Sequence, residues 1–227
     1  MTTNLFYFPH FEVVYINNPK AACTTLKRSL SRTKEDEISG GKFHKWVAQE
    51  YGMDSSDYSK LPTAVPILFI SRDPVKRAVS GYLDKIFGTW TGGESRQRIK
   101  QKLTKELGKE PDDAISFDEY LDYLQLKILD EGRAINQHFG LQITNLEAVG
   151  LQPTHVFKLE TLNGDLAALN SQRSTQIEIC GHYNRTKNNK NRKLTLDDSQ
   201  LKRLCTIFEQ DLKRFNYADS YTEYLAP

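Results

Sequence analysis

No apolar run in the chain approaches the roughly 20 residues that a membrane span needs, so no membrane partner is expected. Cysteine is scarce: Cys23, Cys180 and Cys205 are the three in 227 residues. An odd count without a spaced framework argues against a disulfide scaffold and for reduced thiols in a cytoplasm. The opening, MTTNLFYFPHFEVVYI, lacks a basic n-region and a cleavage signature, so it does not read as a secretory leader. Charge of one sign is missing as well. The formal balance is +2, which gives no global field for nucleic acid or a membrane surface and confines any anion site to a local cluster. The five histidines are scattered and none pairs with cysteine at zinc spacing, so no metal is expected. There is no internal repeat and no long linker.

What is present is a soluble globular composition, 38% hydrophobic and 26% charged. A length of 227 residues suits a single domain over 1–227 with a real core. VVYI (13–16) and ILFI (67–70) are continuous apolar runs rich in β-branched residues, the signature of strands buried on both faces of a parallel sheet. Each leads through a loop into a helical pattern, which is βα order. THVFKLE (154–160) is a weaker third strand, followed by TLNGDLAALN. Ser116 stands three residues before Glu119, a capping box at a helix start. Leu201, Leu204, Phe208, Leu212 and Phe215 share one helical face after a start signal spanning Thr195 to Asp198. The charged, apolar-poor stretch 92–113 is expected to be an exposed helix or a flap. The fold class is therefore α/β: three layers, α/β/α, around a central parallel sheet.

The loop after the first of these strands reads NNPKAACTTLKRSL. A strand–loop–helix unit with a lysine in its loop is a common way to hold phosphate. Free N–H groups at the helix start point at the anion, and the helix dipole favours negative charge there. Pro19 stiffens the entry and Lys20 supplies a mobile point charge. Ala21 and Ala22 are small enough for close backbone approach, and Thr24 and Thr25 add hydroxyl donors. Cys23 suits the role of a small, close-packed residue. The loop contains no glycine and its lysine leads rather than trails, so it is not a Walker A sequence. On this stretch alone, an ordinary βα loop with a surface lysine is an equal reading.

The second junction, ILFISRDPVKRAVSGYLDKI, places Arg72 at the carboxyl end of a strand, where open α/β sheets bind ligands. Its guanidinium can grip a phosphate as a fork. Ser80 follows eight residues later, about two helical turns on. Asp73, between Arg72 and Pro74, reads as an N-cap or an arginine partner rather than a magnesium ligand.

Together these segments resemble the sulfotransferases, in particular the carbohydrate sulfotransferase family that includes the chondroitin 4-O-sulfotransferases. NPKAACTTLKRSL resembles their 5′-phosphosulfate loop, and SRDPVKRAVSGYLDKI their 3′-phosphate segment. NQHFGLQ, HVFKLETLNGDL, RTKNN and FEQDLKRFNY resemble further family segments in the same order. The resemblance implies a P-loop-NTPase-like sulfotransferase fold. It implies a donor, 3′-phosphoadenosine 5′-phosphosulfate, and a product, 3′-phosphoadenosine 5′-phosphate. The sulfuryl group would pass, without metal, to a hydroxyl or amine of a carbohydrate or small-molecule acceptor. It implies that Lys20 stabilises the leaving oxygen, that Pro19 to Thr25 cradle the 5′-phosphate, and that Arg72 and Ser80 hold the 3′-phosphate. Arg185 and Lys187, in the basic stretch 184–193, would approach the donor phosphates; the other cations there read as a solvated loop.

The acceptor must lose a proton, so a general base is expected. His44 in GGKFHKW follows the first helix, where related enzymes carry a base histidine; the bland reading is a surface histidine between Lys42 and Lys45. His138 is the second candidate, with packing beside Phe139 as its bland reading. Two other functional readings compete: an ATP-dependent kinase, which calls for magnesium and a glycine-rich loop, and a non-catalytic nucleotide-binding protein. The missing glycines weigh against the first, and the joint presence of Lys20, Arg72 and Ser80 against the second.

Overall fold

The computed structural model describes residues 4–34, 37–38, 40–62, 65–87, 94–133, 135–173, 176–179, 181 and 194–225. Contacts gather the chain into two compact units, Met1–Arg72 with Thr144–Arg185, and Asp73–Ile143 with Thr186–Pro227.

The first unit is built on a sheet of β1 (Leu5–Phe8), β2 (Val13–Ile16), β3 (Ile67–Ser71) and β4 (His155–Lys158), in that spatial order. The apolar runs 13–16 and 67–70 are the adjacent strands β2 and β3, and every residue of both is buried. They pair in parallel, Tyr15 opposite Leu68, and β3 pairs in parallel with β4, Phe69 opposite Val156. The sheet is mixed rather than purely parallel, because β1 runs antiparallel to β2 with Leu5 opposite Ile16. The four-residue link 9–12, which contains Pro9, is far too short for a parallel crossover, so the chain can only reverse.

Each edge of the sheet carries a contact from elsewhere in the unit. Beyond β1, Met53 N–H donates to Leu5 O (3.0 Å) and Gly52 bridges Phe6. On β4, Lys158 N–H donates to Asp165 Oδ2 at 3.3 Å.

Against one face of the sheet pack α1 (Cys23–Ser31), α2 (Gly40–Tyr51) and α7 (Leu162–Asn170). Leu26, Leu30, Phe43, Val47, Leu162, Leu166 and Leu169 join Phe6, Phe8, Tyr15, Leu68 and Ile70 in one core. Burial at this scale is worth about 1.5–3 kcal/mol for each large apolar side chain, which holds the helices where propensity alone would not.

The second unit comprises α3 (Pro74–Lys85), α4 (Glu94–Glu106), α5 (Phe117–Gln125), α8 (Asp198–Ile207) and α9 (Glu209–Arg214). Residues 94–106 of the charged stretch form a helix, α4, which buries Leu103. The expected capping box is present: Ser116 Oγ accepts from Glu119 N–H, and Glu119 Oε2 accepts from Ser116 N–H at 2.7 Å. Its carboxyl is held down at about 2 by Lys109 and by these hydrogen bonds. The C-terminal helix starts within the expected 195–198 signal. Asp197 accepts from Gln200 N–H (2.8 Å), and the chain breaks at Phe208 between α8 and α9. Leu204, Phe208, Leu212 and Phe215 are nonetheless all buried.

The centre of this unit is an aromatic group, Tyr82, Phe117, Tyr120 and Phe139, around a fully buried Arg77. Arg77 donates from Nη1 to Gly140 O (2.7 Å) and from Nη2 to Gln137 O (2.6 Å). Gly81 on α3 lets the 137–140 loop lie close. A Cβ there would come 3.0 Å from His138 O and 3.2 Å from the Phe139 ring. Asp211, buried on α9, accepts from the N–H groups of Gln142 (2.7 Å) and Ile143 (2.9 Å) at the start of α6 (Gln142–Glu147). Among the described residues no helix is long and apolar enough to cross a membrane.

Candidate functional site

The loop between β2 and α1 is anchored from below. Asn18 is fully buried, and its Nδ2 donates to Ile70 O at 2.9 Å, tying the end of β2 to the end of β3. Its Oδ1 accepts from Asn145 Nδ2 at 3.3 Å. Ala21 N–H then turns back onto Asn18 O (3.3 Å). Lys20 (φ 70°) and Ala22 (φ 55°) both occupy the left-handed region. Neither is glycine, and this conformation costs an L-residue roughly 1–2 kcal/mol. Such strain persists only where the surroundings over-determine it.

Ala22 is the N-cap of α1, and no side chain caps that helix or places an acid in its first turn. The positive end of the helix dipole therefore meets the loop with no carboxylate in its own first turn. Arg72, just past β3, donates from Nη1 to Lys20 O at 2.8 Å. The structure thus brings Lys20 and Arg72 together at adjacent strand ends. Pro19, Ala21 and Thr25 are buried, while Lys20, Ala22, Cys23 and Thr24 are half-buried.

A second group lies between α1 and α2. His44, exposed on α2, lies with Nε2 3.4 Å from Thr24 Oγ1 and Nδ1 3.3 Å from Lys27 Nζ. Thr24 and Lys27 are one helical turn apart, so a single face of α1 reaches both ring nitrogens. Lys27 is buried, with its nitrogen 5.0 Å from the centroid of the Phe6 ring. Burial pushes its pKa down, and Cys23 opposes that shift. Lys27 is a residue that the sequence reading passed over. The Tyr15 ring stacks near Phe6, and burial pushes the pKa of its hydroxyl well above the ordinary phenol range, with the Asn18 backbone opposing that shift.

Ser80 and His138 belong to the second unit. Ser80 is buried on α3, whose N-terminus is capped as the sequence suggests: Asp73 Oδ1 accepts from Val75 N–H (3.0 Å) and Lys76 N–H (3.1 Å). Tyr221 Oη donates to Asp73 Oδ2 at 2.7 Å. His138 has one ring hydrogen placed by its neighbour. Its backbone N–H donates to Asn136 Oδ1 (3.0 Å), which identifies that atom as an acceptor, and Nδ1 lies 2.7 Å from the same oxygen. Nδ1 therefore carries a hydrogen. Arg185 and Lys187 lie outside the described residues, as does the rest of the basic stretch 184–193.

A model of the sulfotransferase family matches residues 3–218. Neither a curated protein nor a solved structure gives a match.

Proposed function

The chain belongs to the sulfotransferase family, and from that premise we propose that it moves a sulfuryl group from 3′-phosphoadenosine 5′-phosphosulfate to a hydroxyl or amine of a carbohydrate or small-molecule acceptor. The observation that supports the donor is the loop after β2. It has small residues, two left-handed turns, an uncapped helix start and a guanidinium fixed on its carbonyl.

In this reading the residues from Pro19 to Thr25 accommodate the 5′-phosphate. Ala21, Ala22 and Cys23 permit close approach of backbone N–H groups, and Thr24 and Thr25 add hydroxyls. Lys20 offers its ammonium to the oxygen that gains charge as the sulfur–oxygen bond breaks, a stabilisation aimed at the transition state. Arg72, whose Nη1 meets Lys20 O, is assigned to the 3′-phosphate, which a guanidinium can grip as a fork. Ser80, Arg185 and Lys187 are assigned to the donor by motif. His44 takes the acceptor's proton as general base.

Titration calorimetry with 3′-phosphoadenosine 5′-phosphate and with adenosine 5′-phosphate tests the donor. One lost charge-assisted contact is worth about 1.5–3 kcal/mol, so the compound with the 3′-phosphate should bind about 10- to 100-fold more tightly. Equal affinities would remove the assignment of Arg72.

A further inference from the structure

We propose that Lys27 is the proton partner of His44: its buried amine must be uncharged for the imidazole to act as a base, and it receives the proton that the imidazole takes up. The inference rests on the reading of His44 as general base.

The geometry leaves few protonation patterns. Lys27 Nζ faces Nδ1 at 3.3 Å, and Thr24 Oγ1 faces Nε2 at 3.4 Å. An ammonium at Nδ1 needs a lone pair there, which places the single ring hydrogen on Nε2 and leaves that nitrogen unable to accept. An imidazolium facing an ammonium would set two donors and two like charges against each other. An uncharged Lys27 reverses the pattern: Nδ1–H donates to Nζ, and the lone pair stands on Nε2, the nitrogen beside the donor loop. The pair therefore holds at most one positive charge.

The environment suits an amine that discharges. Lys27 is 5% exposed and rests over the Phe6 ring of β1. Among the described residues no carboxylate pairs with it; its recorded neighbours are His44, Phe6 and Cys23. From β2, the Tyr15 phenol is the other titratable group beside Cys23. The Arg28 guanidinium on α1 lies over Phe43 and donates to Lys34 O and Ile38 O. On α2, Lys42 and Lys45 flank His44 in sequence and are exposed. Burial lowers the basicity of Lys27 in the required direction.

The proton then has a complete path. The acceptor's O–H bond breaks and its proton joins Nε2, while the Nδ1 proton passes to Nζ. The acceptor oxygen bonds to sulfur as the sulfur–oxygen bond to the phosphate breaks, and the electron pair of that bond leaves with the phosphate. Lys27 ends as an ammonium and His44 as the neutral Nε2–H tautomer. Because His44 is exposed, the proton returns to water through the same two nitrogens.

The test uses the full chain and needs no acceptor. Nitrogen-15 NMR of the imidazoles, with His44 assigned by its loss in His44→Ala, reports tautomer and charge across pH. Wild type should hold His44 as neutral Nε2–H through its ordinary titration region near 6.5, then convert to Nδ1–H at higher pH as Lys27 discharges. Lys27→Met should restore an ordinary imidazolium titration near 6.5. Lys27→Arg, which keeps the charge and cannot discharge, should remain Nε2–H throughout.

Release of sulfate from 3′-phosphoadenosine 5′-phosphosulfate to water gives the matching rates. The acid limb of wild type should move down in Lys27→Met, and Lys27→Arg should be as slow as His44→Ala. An unchanged tautomer and titration in Lys27→Met, or full activity in Lys27→Arg, would overturn the proposal. Thermal shift with 3′-phosphoadenosine 5′-phosphate separates the two readings. Its absence in wild type would count against the donor assignment, whereas full activity in His44→Ala would remove the base.

Discussion

Replacing Arg77 by methionine should be among the most damaging changes in the second unit, and the damage should depend on pH. Arg77 is 0% exposed, and its two terminal nitrogens serve the carbonyls of Gly140 and Gln137. Methionine keeps part of the apolar stem and none of the donors. A buried carbonyl left without a partner costs about 1–3 kcal/mol. The charge matters too. Burial raises the pKa of Asp211, while Arg77 and the N–H groups of Gln142 and Ile143 lower it. Losing the Arg77 charge also withdraws one of the influences that favour the ionised Asp211 carboxylate. With two carbonyls orphaned, the expected loss near neutral pH is about 2–5 kcal/mol, out of the 5–15 typical of a domain.

The sign with pH follows from Asp211. Its folded pKa lies above the unfolded value, so its contribution is most favourable below the unfolded pKa and is lost as pH rises through the folded one. Arg77→Met raises the folded pKa further and extends that loss upward. Lowering the pH from about 7 to about 5 should therefore narrow the gap between variant and wild type. Urea denaturation followed by circular dichroism at both pH values measures it. A loss below about 1 kcal/mol, smaller than a single orphaned carbonyl, would refute the reasoning, as would an equal gap at both pH values.

Lys20→Ala should lower kcat by about 10²–10³ with a smaller change in donor affinity, because one charge-stabilising donor is lost while the loop amides remain; a raised KM at wild-type kcat would make Lys20 a binding residue only. Gly81→Ala places a methyl group 3.0 Å from His138 O and 3.2 Å from the Phe139 ring. Overpacking of this kind costs about 1–3 kcal/mol, so a thermal melt unchanged from wild type would show that the 137–140 loop yields freely.

The parts of the fold that were legible are those where one residue class dominates a whole element. The runs at 13–16 and 67–70 admit little except strands buried on both faces, and Ser116, Glu119 and Asp73 cap as their positions suggest. β1 was not legible: LFYF is short and apolar, and only its antiparallel pairing with β2 gives it a place. That omission explains why Lys27 was missed. A lysine in a helical pattern reads as a solvated cation, and here it is buried at a ring that β1 supplies. Arg77 was opaque for a related reason. Its charge is met by carbonyls sixty and sixty-three residues away, which no local pattern announces. Lys20 and Arg72 were each legible, but the hydrogen bond that joins them belongs to the sheet order, which sets their strands side by side.

The sheet's occupied edges bear on how the chain behaves in a crowd of its own copies. A four-stranded sheet with open margins would offer rows of unpaired amides and carbonyls on which another molecule could template a strand. Here residues 52–53 sit on the margin of β1, and the Asp165 carboxylate takes the last amide of a β4 only four residues long. An incoming strand would meet a bridge at one side and a carboxylate at the other. The apolar runs that specify β2 and β3 are the segments most able to polymerise, and each has an outer strand beside it in the sheet.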